Sequence, residues 1–229
     1  MKDALPAGIS TGSAGVPPAS SQHKTWYSRG YLPHCDVPGL IQAITFRLHD
    51  ALPAEILARI RAGEHDDKDS QKRIARALDQ GFGRCSLRDP VCGRLVENAL
   101  LHFDGAKYRL LEWCVMPNHV HVLVETFARH PLDRIVHAWK SYTAKAINRH
   151  LRCQGKFWQQ DYHDRFIRND AHLLLARNYI RDNPVAAGLC ELPQYWPWSS
   201  ACRAASADVP SAGRINHAGG TPALQQEKS

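Results

Sequence analysis

Four stretches of the 229-residue chain are rich in apolar, β-branched and aromatic residues, in runs or in alternation with polar ones, and predict β-strands. They are "LIQAITFRL" (40–48), "YRLLEWCVM" (108–116), "HVHVLVE" (119–125) and "KFWQQDYHDRFIR" (156–168), the last of which fits either a strand or an extended arm. Only Pro117 and Asn118 separate the second stretch from the third, so these two are predicted to pair as a hairpin.

A different spacing, with apolar residues every three or four positions, predicts helices between these strands. The predicted helices are residues 53–83 (one long helix or two short ones, stopped by Gly81 and Gly83), a segment after Asp89, residues 131–151 and residues 170–184. Asp89 is expected to cap its helix just before Pro90, and Pro184 is expected to end the last helix.

The resulting order, β–α–α–β–β–α–β–α, predicts an α+β fold in which helices pack on one side of an antiparallel sheet, close to the ferredoxin-like or split βαβ arrangement. Residues 24–203 are expected to form this single domain. The flanking segments 1–23 and 204–229 are rich in Ala, Gly, Pro and Ser and are predicted to be disordered tails.

Composition narrows the range of functions only slightly. The formal charge of +7, from 29 Lys and Arg against 22 Asp and Glu, favours a polyanionic partner without deciding its identity. The 7 cysteines are dispersed and form no CxxC pair, which is typical of a protein of the reducing cytosol rather than of a disulfide scaffold. No apolar segment has the length of a signal-peptide core or a membrane span, so we expect a cytoplasmic protein and no membrane partner.

Two histidines interrupt the apolar run "MPNHVHVLVE" and suggest a metal-binding site. Side chains two positions apart on a strand share one face, roughly 6–7 Å apart along it, so His119 and His121 should lie together while Val120 and Val122 face the other way. Two imidazoles can bind one divalent ion and leave coordination positions open for water or a phosphate oxygen. The alternative is a pair of surface histidines on a solvated strand.

Five blocks in order carry a resemblance to a known family: "MPNHVHVLVE", "WKSYTAKAINRHL", "FWQQDYHDRFIR", "ARNYIRDNPVAAGL" and "WPWSS". Together they resemble the REP-associated tyrosine transposases, a branch of the single-tyrosine HUH (IS200-like) transposases, over roughly residues 26–203. The resemblance implies the HUH endonuclease fold. It also implies metal-dependent nicking and rejoining of single-stranded DNA at short palindromic repeats that fold as hairpins, through a 5′-phosphotyrosine intermediate.

The resemblance also assigns roles to residues. The HUH motif falls on His119 and His121, the nucleophile on Tyr179, and a third metal ligand on Asn183, one helical turn later. Positions i and i+4 of a helix share a face, so helix geometry permits Tyr179 and Asn183 to meet one ion. Tyr142 and Tyr162 remain as competing tyrosines. Oxygen, imidazole and amide ligands suit Mg²⁺ or Mn²⁺, of which Mn²⁺ tolerates histidine better.

Basic residues interleaved with aromatic ones follow the histidine strand and are typical of surfaces that bind single-stranded nucleic acid. The candidate DNA contacts are Lys140, Lys156, Trp158, Arg165, Arg168 and Arg181. We expect single-stranded or hairpin DNA as the partner, at the nucleoid, and a monomer or homodimer in which the tyrosine could act in trans. Three other functions stay open: a repeat-DNA binding or regulatory protein without cleavage activity, a relaxase or replication initiator, and an RNA-binding protein.

Overall fold

The computed structural model describes residues 26–28, 33–62 and 68–207. A two-stranded ribbon pairs β1 (Trp26–Ser28) with β2 (Pro33–Cys35). A four-stranded sheet consists of β3 (Ile41–Arg47), β4 (Tyr108–Val115), β5 (His119–Thr126) and β6 (His163–Phe166). Its order is β4-β5-β3-β6, and every neighbouring pair is antiparallel. This is the strand order of a ferredoxin-like sheet, so the predicted α+β class is confirmed.

The described part of the chain forms six α-helices. They are α1 (Ala54–Arg61), α2 (Lys68–Asp79), α3 (Pro90–Leu101), α4 (Leu132–His150), α5 (Asp170–Ala186) and α6 (Ser200–Ala207). Residues 53–83 thus contain two short helices rather than one long one. Asp89 caps α3 as expected, because its carboxylate accepts hydrogen bonds from the backbone N–H groups of Val91 (2.8 Å) and Cys92 (3.2 Å).

Helices cover both faces of the sheet, which corrects the expectation that they all lie on one side. Val120 and Val122 face a large core shared with α3 and α4. On the opposite face Cys114 and Leu123 pack against Ile180 of α5. The physical reason is that β5 has buried side chains on both faces, with Leu123 beside the two histidines on the second face. A single layer of helices would leave that second face in water.

Pro184 lies inside α5, whereas the sequence predicted that it would end the helix. A proline removes only its own N–H, which here costs one hydrogen bond near the C-terminus of the helix. Neighbouring groups close the last turn: the N–H of Ala187 donates to Asn183 (2.9 Å), and the N–H of Leu189 donates to the carbonyl of Pro184 (2.8 Å). The helix therefore continues to Ala186, and Asn183 stays helical.

The segment after α5 packs against the end of β4. The Trp196 indole N–H donates to the carbonyl of Val115 at 2.9 Å. Trp198 packs so closely on Gly93 that a Cβ there would lie 2.5 Å from the indole, so this position requires glycine. Helix α6 extends past residue 203, the predicted domain end, and the rest of both predicted tails lies outside the described residues.

A buried ion-pair cluster joins the ribbon to the sheet. His34 of β2 is fully buried, and its ring contacts the carboxylates of Asp161 (2.9 Å) and Asp164 of β6. Asp164 also accepts hydrogen bonds from the backbone N–H of Cys35 (3.0 Å) and the side-chain amide of Gln42 (3.3 Å). This cluster, His34–Asp161–Asp164, connects segments that are far apart along the chain.

Candidate active site at the histidine pair

Both histidines of β5 lie on the sheet face that α5 covers. Their Nε2 atoms are 2.9 Å apart, and the two rings are nearly perpendicular, at 88°. Both side chains are buried. The arrangement therefore brings two imidazole nitrogens to one point in the interior rather than exposing them on a solvated strand.

The protein orients His119 through the turn that precedes it. The side-chain amide of Asn118 donates to the carbonyls of Leu78 and Phe82, both at 3.1 Å, which leaves its Oδ1 pointing at the His119 ring. His119 Nδ1, 2.8 Å from that oxygen, must then carry the proton and donate it. His119 Nε2 is left with a free lone pair, which is the form that a metal ion binds.

His121 is held from the neighbouring strand. Thr45 of β3 lies opposite His121 in the antiparallel register, and its hydroxyl is 2.9 Å from His121 Nδ1. When the hydroxyl donates to Nδ1, Nε2 of His121 bears a hydrogen directed at His119. In the other neutral tautomer Nδ1 carries the hydrogen and donates it to the Thr45 hydroxyl oxygen, and the Nε2 lone pairs of the two histidines converge. The site can thus change from an imidazole–imidazole hydrogen bond to a two-nitrogen ligand set without moving either ring.

The electrostatic environment keeps the pair uncharged. Burial, and to a smaller extent the nearby charge of His163, lower the pKa of His121 to about 4. Burial and the neighbouring His121 lower the pKa of His119 well below its ordinary value. Both rings are therefore neutral at physiological pH, as metal ligands must be.

Helix α5 brings Tyr179 and Asn183 to the same point. The Tyr179 ring lies edge-on to His121, with ring centroids 5.3 Å apart and an interplanar angle of 79°. Asn183 is buried one turn further along, and its side chain hydrogen-bonds to the Tyr179 hydroxyl. Tyr179 is 48 % exposed, so one edge of its ring is open to a large substrate.

The residues present fit a divalent ion. Asn183 Oδ1 is buried and lacks a hydrogen-bond partner among the described residues. A buried amide oxygen without a partner costs free energy, and a cation would satisfy it. With the two Nε2 atoms it makes a set of two nitrogens and one oxygen, which suits a first-row divalent ion and leaves positions for phosphate oxygens.

A carboxylate at the end of α2 adds negative charge near the tyrosine. Burial raises the pKa of Tyr179, the charge of Asp79 raises it further, and the hydrogen bond from Asn183 lowers it. Asp79 Oδ1 is itself buried and unpaired within the residues that the structure describes, and burial raises the pKa of its carboxyl group. Removal of Asp79 should therefore make the phenol easier to ionise.

The family described as Transposase IS200 like matches residues 91–183, a range that contains His119, His121, Tyr179 and Asn183. This part of the chain is therefore similar to the IS200-like transposases. The family match covers the helix–hairpin–helix–strand–helix segment that builds the site, from α3 to α5.

An individual relative is similar to part of the chain. A Haemophilus influenzae protein assigned as a REP-associated tyrosine transposase is 28% identical over 106 residues, which are 42% of this chain and 60% of that protein. This chain thus spans less than two thirds of the length of that relative.

Solved structures show the shared fold. The structure of a REP-associated tyrosine transposase bound to a REP hairpin superposes with a TM-score of 0.53 at 17% identity, covering 84% of this chain and 97% of that one. The predicted HUH fold is thereby confirmed. A crystal structure of a Deinococcus radiodurans protein assigned as a transposase, 16% identical over 69% of this chain and 96% of its own, has a TM-score of 0.31 and adds nothing to the fold assignment.

The side chains expected to contact DNA fall into three groups by exposure. Lys156, Arg165, Arg168 and Arg181 are exposed. Lys140 is partly buried, and its ammonium donates to the carbonyl of Gln160 at 2.7 Å, which fixes the segment before β6. Trp158 is a correction: it is only 7 % exposed, and its indole N–H donates to Thr143, so its ring cannot stack on a base.

The competing tyrosines lie in other surroundings. The Tyr162 ring is buried and packs on His34 with centroids 4.4 Å apart, in the ion-pair cluster. Tyr142 is an exposed residue of α4. Of these three tyrosines, the structure brings Tyr179 against His121.

Four residues of the site were not predicted from the sequence: Thr45, Asp79, Asn118 and His163. Asn118 precedes the first histidine directly, so its position in "PNHVH" was an available signal. His163 pairs with Thr45 across β6 and β3, and therefore shares the face of the histidine pair. Thr45, Asp79 and His163 reach the site only through strand register and helix packing, which no local pattern reveals.

Proposed function

We propose that this protein nicks and rejoins single-stranded DNA at short palindromic repeats that fold as hairpins, as a transposase with a 5′-phosphotyrosine intermediate. The observation that carries the proposal is the contact of Tyr179 with His121, with Asn183 one helical turn away. Such a reaction needs a nucleophile and a metal site, and here a tyrosine lies beside two neutral imidazoles and an unpaired amide oxygen.

The tyrosine performs the covalent step. The Tyr179 hydroxyl loses its proton to solvent, and its oxygen attacks the scissile phosphorus. The new bond is Tyr–O–P, the bond to the 3′ oxygen breaks, and that oxygen takes up a proton to leave as a 3′-hydroxyl. Because the phosphodiester energy is kept in the tyrosyl ester, attack by a 3′-hydroxyl restores a DNA strand without ATP.

The remaining side chains bind and orient. His119, His121 and Asn183 would hold a divalent ion, Mg²⁺ or Mn²⁺, which would neutralise charge on the scissile phosphate when bound. Asn118 and Thr45 keep the two rings in the coordinating orientation. The hydrogen bond from Asn183 favours the phenolate, which opposes the effect of burial on Tyr179.

The proposed substrate is held by phosphate contacts from exposed basic side chains. Arg165 of β6 pairs with Ala43 and so lies on the face of the histidine pair, and Arg168 and Arg181 flank the tyrosine along the chain. Together with Lys156 and the formal charge of +7 they suit a polyanion. We assign this activity to residues 24–203 with the remainder of α6, acting as a monomer or homodimer in the cytoplasm at the nucleoid.

The test is a cleavage assay with a labelled single-stranded hairpin taken from the flanks of the gene, with Mg²⁺ or Mn²⁺. Wild type should cleave it and form a covalent protein–DNA adduct, whereas Tyr179→Phe and His121→Ala should form neither. Tyr142→Phe, which alters an exposed tyrosine of α4, is the matched control and should cleave normally.

Two results would contradict the proposal. Binding without cleavage by every variant, with either metal, would indicate a repeat-DNA binding protein without catalytic activity. Cleavage that survives Tyr179→Phe would show that another group is the nucleophile.

A further inference from the structure

A second cluster of metal-ligating side chains lies where the start of α3 meets the end of α4. Asp89 precedes α3, Cys92 is in its first turn, and His150 is the last residue of α4. One ligand atom from each lies within 4.8 Å of the other two. The histidine pair of β5 does not contribute to it, so this cluster is separate from the proposed active site.

A second thiol lies close to the three. The backbone turns back after α4 because Arg152 adopts a left-handed conformation (φ 51), and the N–H of Cys153 donates to the carbonyl of Asn148 at 2.9 Å. The Cys153 thiol interacts electrostatically with the Cys92 thiol and makes one weak hydrogen bond, 3.3 Å long, to the Asn148 side chain. A non-glycine residue in the left-handed region costs free energy, and here that strain places Cys153 beside the cluster.

The spacing of the four residues resembles that of ligand pairs in zinc sites. Asp89 and Cys92 are three positions apart, as are His150 and Cys153, which gives D-x-x-C and H-x-x-C. The Asp89 oxygen Oδ1 caps α3, and the second oxygen, Oδ2, lies 3.2 Å from His150 Nε2, so the carboxylate and the imidazole face each other. Two thiolates, one imidazole and one carboxylate are a tetrahedral set for Zn²⁺ and a poor one for Mg²⁺.

The partial charges at the two helix ends also suit a bound cation and its anionic ligands. The positive end of α3 stabilises the Asp89 carboxylate, and the negative end of α4 stabilises a cation. Cys92 is fully buried and Asp89 and His150 are each about one third exposed, so the cluster has an inner side within the protein and an open side for metal entry.

We propose that Asp89, Cys92, His150 and Cys153 bind one Zn²⁺ ion, which fastens the start of α3 to the end of α4. Both thiols lose their protons to solvent on binding, and Cys153 turns from Asn148 toward the ion. The site is structural, because four protein ligands fill the tetrahedral coordination. It does not depend on the proposed DNA cleavage.

The test is titration of metal-free full-length protein with Co²⁺, a spectroscopic substitute for Zn²⁺. In wild type, one equivalent of the bound Co²⁺ should show thiolate-to-cobalt charge-transfer absorption and the intense visible bands of a tetrahedral site, and Zn²⁺ should displace it. His150→Ala and Cys153→Ser should weaken this binding by at least about tenfold. Both residues are partly exposed, so these variants test the site even where Cys92→Ser fails to fold.

Matched controls separate this site from the histidine pair. Cys202→Ser alters a partly exposed cysteine outside the cluster, and His121→Ala alters the proposed active site; both should keep the thiolate–cobalt spectrum. Absence of the charge-transfer band in wild type would overturn the proposal. So would a band that persists unchanged in His150→Ala and Cys153→Ser, or one that disappears in His121→Ala.

Discussion

Of the two buried histidine centres of this protein, the ion-pair cluster holds a charged histidine and the histidine pair is neutral. In the ion-pair cluster, burial by itself would lower the pKa of His34, but the hydrogen bonds to Asp161 and Asp164 outweigh it and raise the pKa to about 9. At the histidine pair, burial and the charge of His163 lower the pKa of His121 to about 4, and no carboxylate among the described residues raises it.

The comparison shows that partners, and not burial, decide what a buried histidine does. His34 is a cation held between two anions and joins β2 to the chain around β6. His119 and His121 have amide and hydroxyl partners, which orient the rings but leave them neutral. The first arrangement suits a structural connection, and the second suits ligands that must offer lone pairs.

The largest effect is expected from removal of the cation in the ion-pair cluster. His34→Gln should lower the free energy of unfolding by about 3–5 kcal/mol, because two carboxylates stay buried without a positive partner. Urea denaturation at pH 6, where His34 is charged, measures this loss. His137→Gln, at an exposed position of α4, should change stability by less than about 0.5 kcal/mol. A loss from His34→Gln no larger than that of the control would refute the structural role.

The same cluster should make stability depend on pH in the alkaline range. The pKa of His34 is about 9 in the folded protein, against an ordinary value of 6.5. Its contribution is therefore fully present below pH 6.5 and is lost as the pH rises through 9, a total of about 3 kcal/mol. The difference in unfolding free energy between wild type and His34→Gln, measured from pH 6 to pH 10, should shrink over this window. A constant difference would contradict the raised pKa.

At the histidine pair, the expected effect is on metal affinity. Asn118→Ala removes the acceptor that fixes the proton on His119 Nδ1, and should weaken Mn²⁺ binding about 10- to 100-fold. Calorimetric titration with Mn²⁺ measures the affinity, and Asn178→Ala, at an exposed position of α5, is the control. Equal affinities for the two variants would show that Asn118 does not orient the ring.

The smallest effect is expected at the tyrosine. Asp79→Asn removes a negative charge that raises the pKa of Tyr179, so the pKa should fall and the cleavage rate should reach its plateau at a lower pH. At neutral pH the rate should rise by less than about tenfold. The pH profile of cleavage measures the shift, with Asp182→Asn at an exposed position of α5 as the control. An unshifted profile would show that Asp79 does not act on the phenol.

The sequence by itself determined the elements and the faces that carry the chemistry. Alternation along β5 placed His119 and His121 on one face, and the helical repeat placed Tyr179 and Asn183 on another, because both periods are properties of the local backbone. The α+β class and the likeness to a ferredoxin-like arrangement followed from the order of these elements, whereas the strand order β4-β5-β3-β6 came from the structure.

Only the tertiary structure decided the partners of these side chains. Asn118 orients His119 through carbonyls of Leu78 and Phe82, and His34 acquires its charge from carboxylates more than a hundred positions later in the chain. Trp158 is buried although its neighbours are charged, and α5 covers the second face of the sheet. Periodicity reports which way a side chain points, whereas its partner, its burial and its pKa depend on segments that meet only when the chain folds.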